Sequence, residues 1–213
     1  TPSRSEIVGW GDTELSARIN RSLDSAIGRH DRNTDAVLAE LFKLEHQRMS
    51  GVLRNFVDMD REREDFSIAY VEHEVDFAEA DVRLQLRVDR IDCFADDTLA
   101  ILDYKTGTPR RFLTSDGEPR EIQLIAYACA LRGSVSAIAL VNIDSREVSF
   151  VGAGEGDGDK ADWHQRLAGW KRLVEIACEE MSRGDTRING VQSVKDARVF
   201  NLLSRYTELR RDG

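Results

Sequence analysis

The chain predicts an α/β fold, a central sheet with helices on either side, and three observations lead there. Apolar residues recur every three or four positions in the first sixty residues and again after residue 160. Between them, from about residue 66 to 151, the period falls towards two, interrupted by one helical stretch. The composition is that of a packed globule: 41% hydrophobic, 32% charged and 3 prolines in 213 residues. One domain is expected over 1–213, with a catalytic core at 66–151 and mainly helical flanks at 1–65 and 152–213.

Each element has its own warrant. Asp12 through His30 reads as a helix because Leu15, Ile19, Leu23 and Ile27 fall four apart. Residues 34–60 carry Val37, Leu38, Leu41, Leu44, Met49, Val52, Leu53 and Phe56 as a long apolar stripe on a charged rod. The run Asp58–Asp65 (DMDRERED) is expected to be a solvated helix end or loop. Ser67–Glu79 and Val82–Phe94 alternate and meet at Ala80–Asp81, which suits a hairpin, although the alternation shifts between Val88 and Ile91. Leu99–Tyr104 is a short apolar run ending in charge, a third strand. Gly107–Pro119, with two prolines, two glycines and Arg110–Arg111, reads as a loop. Glu121–Leu131 returns to helical spacing, Ser136–Ile143 and Glu147–Val151 form a further strand pair, Gly152–Asp159 is a glycine-acid loop, and Lys160–Arg183 is a long helix.

Charge and composition narrow the function. The net charge of −9 argues against a free-standing nucleic-acid binder, because Lys and Arg supply most non-specific affinity for phosphates. It leaves open a site that reads phosphate through cations. No stretch is apolar and long enough for a membrane helix and the N-terminus lacks a signal-peptide pattern, so a cytoplasmic location without membrane attachment is expected. The odd, scattered Cys93, Cys129 and Cys178 are expected to be buried thiols.

The chemistry concentrates between Leu86 and Tyr127. Asp89 lies inside a strand-like segment (LRVDRID), Asp103 and Lys105 end the next strand (ILDYKTG), and Gln123 and Tyr127 stand four apart on the following helix (QLIAY). Alternation places Asp103 and Lys105 on one face of their strand, with Leu102 and Tyr104 on the other. Two converging carboxylates repel unless a cation sits between them, and a hard divalent ion takes one or two carboxylates plus water and phosphate oxygens. A lysine beside them can orient or deprotonate a water, which is the layout for phosphodiester hydrolysis.

These motifs, in this order, resemble the PD-(D/E)xK nuclease superfamily, and within it the exonuclease domains of RecB and AddB type. The resemblance implies a restriction-endonuclease-like core built on a central mixed sheet. It implies Asp89, Asp103 and the Tyr104 backbone carbonyl as ligands of Mg²⁺ or Mn²⁺, with Lys105 as the catalytic lysine. Gln123 and Tyr127 would line the site, with Glu74 on the first strand in support and Arg110 and Arg111 against DNA. The implied reaction is in-line attack of an activated water on phosphorus, with a divalent cation neutralising charge on the phosphoryl oxygens.

The resemblance further implies DNA as substrate and a helicase domain or subunit as partner in recombination or repair. Two departures stand out. Relatives of this branch carry a histidine ligand on an initial helix (G-x-x-x-H-x-x-L-E), which neither His30 nor His46 fits; with Thr1 first, the expectation is a C-terminal piece of a longer protein whose histidine helix lies upstream. AddB-type relatives also hold an iron–sulfur cluster near the C-terminus; Ala197–Leu209 resembles that tail, with Ser204 where a thiol belongs, and no cluster is expected.

Plainer readings compete at each position. An isolated D-x-K is commonly a surface ion pair, Asp89 with Arg90 and Asp92 an edge-strand charge cluster, and Gln123 with Tyr127 ordinary helix neighbours. GEGDGD lacks the closing glutamate of a calcium loop and is read as solvated. His73 and His164 are read as structural or exposed, Trp163 and Trp170 as core, and Arg198, Arg205, Arg210 and Arg211 as a cationic helix end. Two other functions remain beside the nuclease: a catalytically impaired DNA-binding or scaffold module of the same fold, and a phosphohydrolase acting on a small substrate.

Overall fold

The computed structural model describes residues 2–28, 36–107, 110–144, 147–157 and 160–184. His30 and the segment 197–209, with Ser204 and the four C-terminal arginines, lie outside these residues.

In chain order the elements are α1 (Arg4–Gly9), α2 (Asp12–Gly28), α3 (Ala36–Glu62), β1 (Phe66–Glu79), β2 (Val82–Phe94), β3 (Leu99–Thr106), α4 (Ile122–Ala130), β4 (Val135–Ile143), β5 (Val148–Gly154), a single 3₁₀ turn at Glu155–Asp157, and α5 (Lys160–Ser182). The five strands form one mixed sheet in the order β1-β2-β3-β4-β5, antiparallel throughout except for the β3–β4 pair. Helices cover both faces, the restriction-endonuclease-like arrangement that the motifs imply.

The parallel pair sits in the centre, and Ala100–Asp103 are buried throughout, as a parallel strand covered on both faces must be. One face carries Ile101, Ile138 and Leu140 against Leu124 and Ile125 of α4 and the stripe Trp163, Leu167, Trp170, Val174 and Cys178 of α5. The Trp163 and Trp170 rings meet edge to face at 5.9 Å, so both are core, as their spacing predicts. The other face carries Leu102, Val141 and Val148 against Val52, Phe56 and Met59 of α3. Burial of α3 is confined to its second half: Val37, Leu38, Leu41 and Leu44 of the predicted stripe are exposed, while Met49, Leu53 and Val57 pack on Leu15, Ile19 and Leu23 of α2.

Four sequence expectations need correcting. Helix α1 was not anticipated; a capping box, in which Ser3 accepts from Glu6 N and the Glu6 side chain accepts from Ser3 N, starts it. The Asp58–Asp65 run is not simply solvated, because α3 continues to Glu62 and turns Asp60 inward to 2% exposure. There Asp60 Oδ2 meets Arg90 Nη1 at 2.6 Å, and Arg63 bridges Asp60 and Asp92 at 2.9 and 2.8 Å. Strand β5 runs on into the segment read as a glycine-acid loop. A Cβ on Gly152 would stand 2.1 Å from Ile138 O and 2.7 Å from Ala139 Cα, so the glycine permits close approach of β5 to β4 instead of a turn. Of the three cysteines only Cys178 is buried, and Cys93 and Cys129 are half-buried; all three are free thiols.

Candidate active site

The site forms where β2 parts from β3. Antiparallel pairing runs from Cys93↔Leu99 to Arg90↔Leu102 and stops there, one step before Asp89 would face Asp103. Tyr104 N–H therefore has no strand partner on that side, and the Asp89 carboxylate takes its place, with Oδ2 accepting from Tyr104 N at 2.8 Å. The pairing of β2 with β1 shifts register between Ile68 and Tyr70 and then holds, with Val71↔Arg90 and His73↔Val88 as partners; Glu72, opposite Asp89, adopts φ 49°. The alternation of β2 shifts between Val88 and Ile91: both enter one core, while Arg90 turns to the other face.

β3 delivers Asp103 and Lys105 to the α4 face, whereas Leu102 and Tyr104 pack towards α3, as alternation predicts. Parallel pairing of β3 with β4 requires a crossover, and α4 supplies it, so its N-terminal turn comes to the carboxyl end of β3. Gln123 Oε1 accepts from Lys105 Nζ at 3.5 Å, and Gln123 Nε2 donates to the Tyr127 hydroxyl. Lys105 Nζ lies 2.6 Å from Asp103 Oδ2. Asp89, Asp103, Lys105, Gln123 and Tyr127 are thus brought into one cluster. Glu74 stands on β1 opposite Arg87 and is exposed; Arg110 and Arg111 are exposed at the start of the loop before α4.

The electrostatics are those of an acidic pair that Lys105 neutralises only in part. Burial pushes the Asp103 carboxyl above the usual carboxylate range; Lys105 opposes this, and Asp89 and Glu121 add to it. Burial likewise raises the Tyr127 phenol, with Asp103 and Asp89 reinforcing the shift, so it is held neutral. Glu121 is a site-facing acid that sequence reasoning passed over as a helix start; its ion pair with Arg110 at 3.2 Å holds it there.

A divalent cation suits this donor set. Asp103 Oδ2 is buried with the Lys105 ammonium 2.6 Å away as its one charged partner, and Asp89 has committed only Oδ2 to Tyr104. Among the described residues no group of three or more His, Cys, Asp or Glu side chains is placed to hold a metal ion. The protein would therefore offer two carboxylates and main-chain oxygen, leaving room for waters and phosphate, which is the manner in which Mg²⁺ binds.

Behind the site, on the α3 face, Arg90 is 2% exposed, forks onto Asp92 at 2.7 and 3.0 Å and reaches Asp60. Burial works against its charge, but Asp92 and Asp60 more than reverse that and raise its pKa above the ordinary arginine value. Arg90 and Asp92 are therefore an internal ion-pair network, not an edge-strand cluster. His73 stacks on Tyr70 at 4.2 Å, and His164 is half-exposed beside Glu155 at 3.4 Å. In the GEGDGD segment Asp157 Oδ2 accepts from Gly154 N at 2.8 Å. Among the described residues no helix is long and apolar enough to cross a membrane.

No curated protein matches the chain. Among solved structures it is similar to one titled "Crystal structure of SSO0001", at 17% identity and a TM-score of 0.29, over 75% of this chain and 70% of that one, a likeness that bears on neither fold nor function. Residues 9–193 match the family described as the PD-(D/E)XK nuclease superfamily, a span that holds the whole sheet, α4 and every member of the cluster. The chain belongs to the PD-(D/E)XK nuclease superfamily.

Proposed function

We propose that this chain hydrolyses DNA phosphodiesters with Mg²⁺ or Mn²⁺, acting on ends, as the nuclease module of a recombination or repair system that works with a helicase domain or subunit. The observation that carries the reading is the meeting of Asp89 and the buried Asp103 at the β2–β3 fork, with Lys105 Nζ 2.6 Å from Asp103 Oδ2.

In this reading Asp89, Asp103 and the Tyr104 carbonyl hold the cation. That carbonyl leaves β3 on the same side as the Tyr104 N–H, towards Asp89. The bound ion would supply Lewis-acid stabilisation of charge developing on the phosphoryl oxygens. Lys105 Nζ orients the attacking water and stabilises the negative charge that develops at the reacting oxygens. Gln123 fixes Lys105 from the α4 side, and Tyr127, neutral and buried, fixes Gln123 in turn. Arg110 and Arg111, exposed at the start of the loop before α4, serve as contacts for the DNA backbone, while Glu74, exposed opposite Arg87 on the other face of β1, takes no part in the cluster.

Labelled linear DNA and covalently closed circular DNA of the same sequence, each incubated with Mg²⁺ or Mn²⁺, test this. The linear DNA is expected to be shortened from its ends and the circle left intact, with loss of activity in EDTA and in Asp103→Ala. Cleavage that persists in Asp103→Ala would sink the assignment, and nicking of the circle would sink the end-directed part of it.

A further inference from the structure

Asn142 lies on β4 opposite Lys105 in the parallel register and is 1% exposed. A buried primary amide must find partners, and this one finds them outside the sheet. Its Oδ1 accepts from Arg110 N at 2.9 Å and its Nδ2 donates to Arg110 O at 3.0 Å. A neighbouring strand would make the same pair of bonds, so the side chain stands in for a strand and clamps one residue of the loop. Beyond the clamp the loop is anchored again: Arg120 N donates to Phe112 O at 2.8 Å, and Phe112, fully buried, packs edge to face on Trp170 at 5.8 Å. The main chain at Arg110 is thereby fixed beside the carboxyl end of β3.

The Arg110 side chain is 55% exposed and ion-paired with Glu121, whose charge is felt at Asp103. A half-exposed ion pair of this kind is weak, and its guanidinium is open to recruitment by a better partner. A phosphate diester is one, because the planar fork of arginine matches two phosphate oxygens.

We propose that Asn142 is a positioning residue for DNA binding: by clamping the main chain of Arg110 it holds that guanidinium where it exchanges Glu121 for a backbone phosphate of the strand entering the site. The proposal rests on the nuclease reading and adds to it a residue that lies under the sheet surface and touches neither DNA nor cation.

The test is a double-mutant cycle on cleavage of linear DNA with Mn²⁺, using Asn142→Asp and Arg110→Ala. Asp at position 142 is nearly isosteric and still accepts from Arg110 N, but it cannot donate to Arg110 O and sets a carboxylate against that carbonyl. Each single variant is expected to raise KM for DNA about tenfold, the loss of one charge-assisted phosphate contact, with a smaller change in kcat. The double variant is expected to show the same rise of about tenfold, because Asn142 acts through Arg110. A product of about a hundredfold, or a wild-type KM in Asn142→Asp, overturns the role of Asn142 and leaves the nuclease reading in place. A wild-type chain that cleaves no DNA with any divalent cation overturns both.

Discussion

The main-chain N–H of Tyr104 points at Asp89 Oδ2 from 2.8 Å, and this bond sets the distance between the two acidic strands of the site. It does so at the residue between Asp103 and Lys105, so that the β2 carboxylate is tied to the β3 segment carrying both charged partners. Asp89 consequently has a structural task beside any chemical one, and the two separate by substitution. Asp89→Asn keeps an acceptor for Tyr104 N and loses the charge. Asp89→Ala also leaves that N–H unpaired, at a cost of about 1–3 kcal/mol. In urea melts Asp89→Asn is expected to match the wild type or exceed it, while Asp89→Ala falls below by about that amount; equal stabilities of Asn and Ala variants would show that the bond contributes nothing.

Asp103 points to a trade between stability and function. Because burial raises its folded-state pKa above the unfolded value, the native protein binds more protons there than the unfolded chain, and this contribution is lost as pH rises from the ordinary carboxylate range through the raised pKa. At neutral pH the carboxylate is therefore a net liability, which Lys105 offsets only in part and a bound divalent cation would relieve. Asp103→Asn is expected to raise Tm in EDTA, by about 2–4 °C for each kcal/mol relieved. Added Mn²⁺ is expected to raise Tm of the wild type and not of the variant. Thermal melts with and without Mn²⁺ check both, and a variant that melts lower than the wild type in EDTA would contradict the account.

In the proposed reaction Lys105 serves the chemistry more than it holds the ion. Lys105→Met is expected to lower the single-turnover cleavage rate by about 10²–10⁴-fold without weakening Mn²⁺ binding measured by calorimetry. Gln123→Ala, which frees Lys105 on one side, is expected to cost less. Loss of Mn²⁺ binding in Lys105→Met would mean that the lysine builds the cation site instead.

The parts of this site that a sequence exposes are those fixed by local periodicity. Alternation put Asp103 and Lys105 on one face, helical spacing paired Gln123 with Tyr127, and the broken alternation near Val88 marked the place where Asp89 leaves the ladder. What stayed hidden depends on partners distant along the chain. Asp60 looks like one more charge in an acidic run until Arg90, thirty residues away, pairs with it inside the core. Asn142 is a polar residue in an apolar strand, and its role exists only because the loop before α4 returns to it. Gly152 reads as a turn former, and the crowding that requires glycine comes from Ile138 O and Ala139 on the neighbouring strand.

The network around Arg90 is expected to be a strong determinant of stability. Removing one member of a buried, hydrogen-bonded ion pair costs about 3–5 kcal/mol, since the remaining charges stay buried without compensation. Arg90→Met is expected to lose about that much in chemical denaturation, and Asp60→Asn to be destabilising in the same direction. Arg90 also stands beside Asp89, so a folded Arg90→Lys protein is expected to cleave more slowly at equal Mn²⁺. A fully stable Arg90→Met protein would show that the apolar contacts of α3 hold that face without the ion pairs.

The most direct measurement is the Mn²⁺ concentration giving half-maximal cleavage of labelled linear DNA, for the wild type and for Asp89→Asn. If Asp89 and Asp103 together hold the cation that the reaction uses, the variant needs at least about tenfold more Mn²⁺, the equivalent of 1.4 kcal/mol of lost ligation, while its melting shows it to be folded. An unchanged half-maximal concentration, or wild-type cleavage indifferent to divalent cations, would contradict the account.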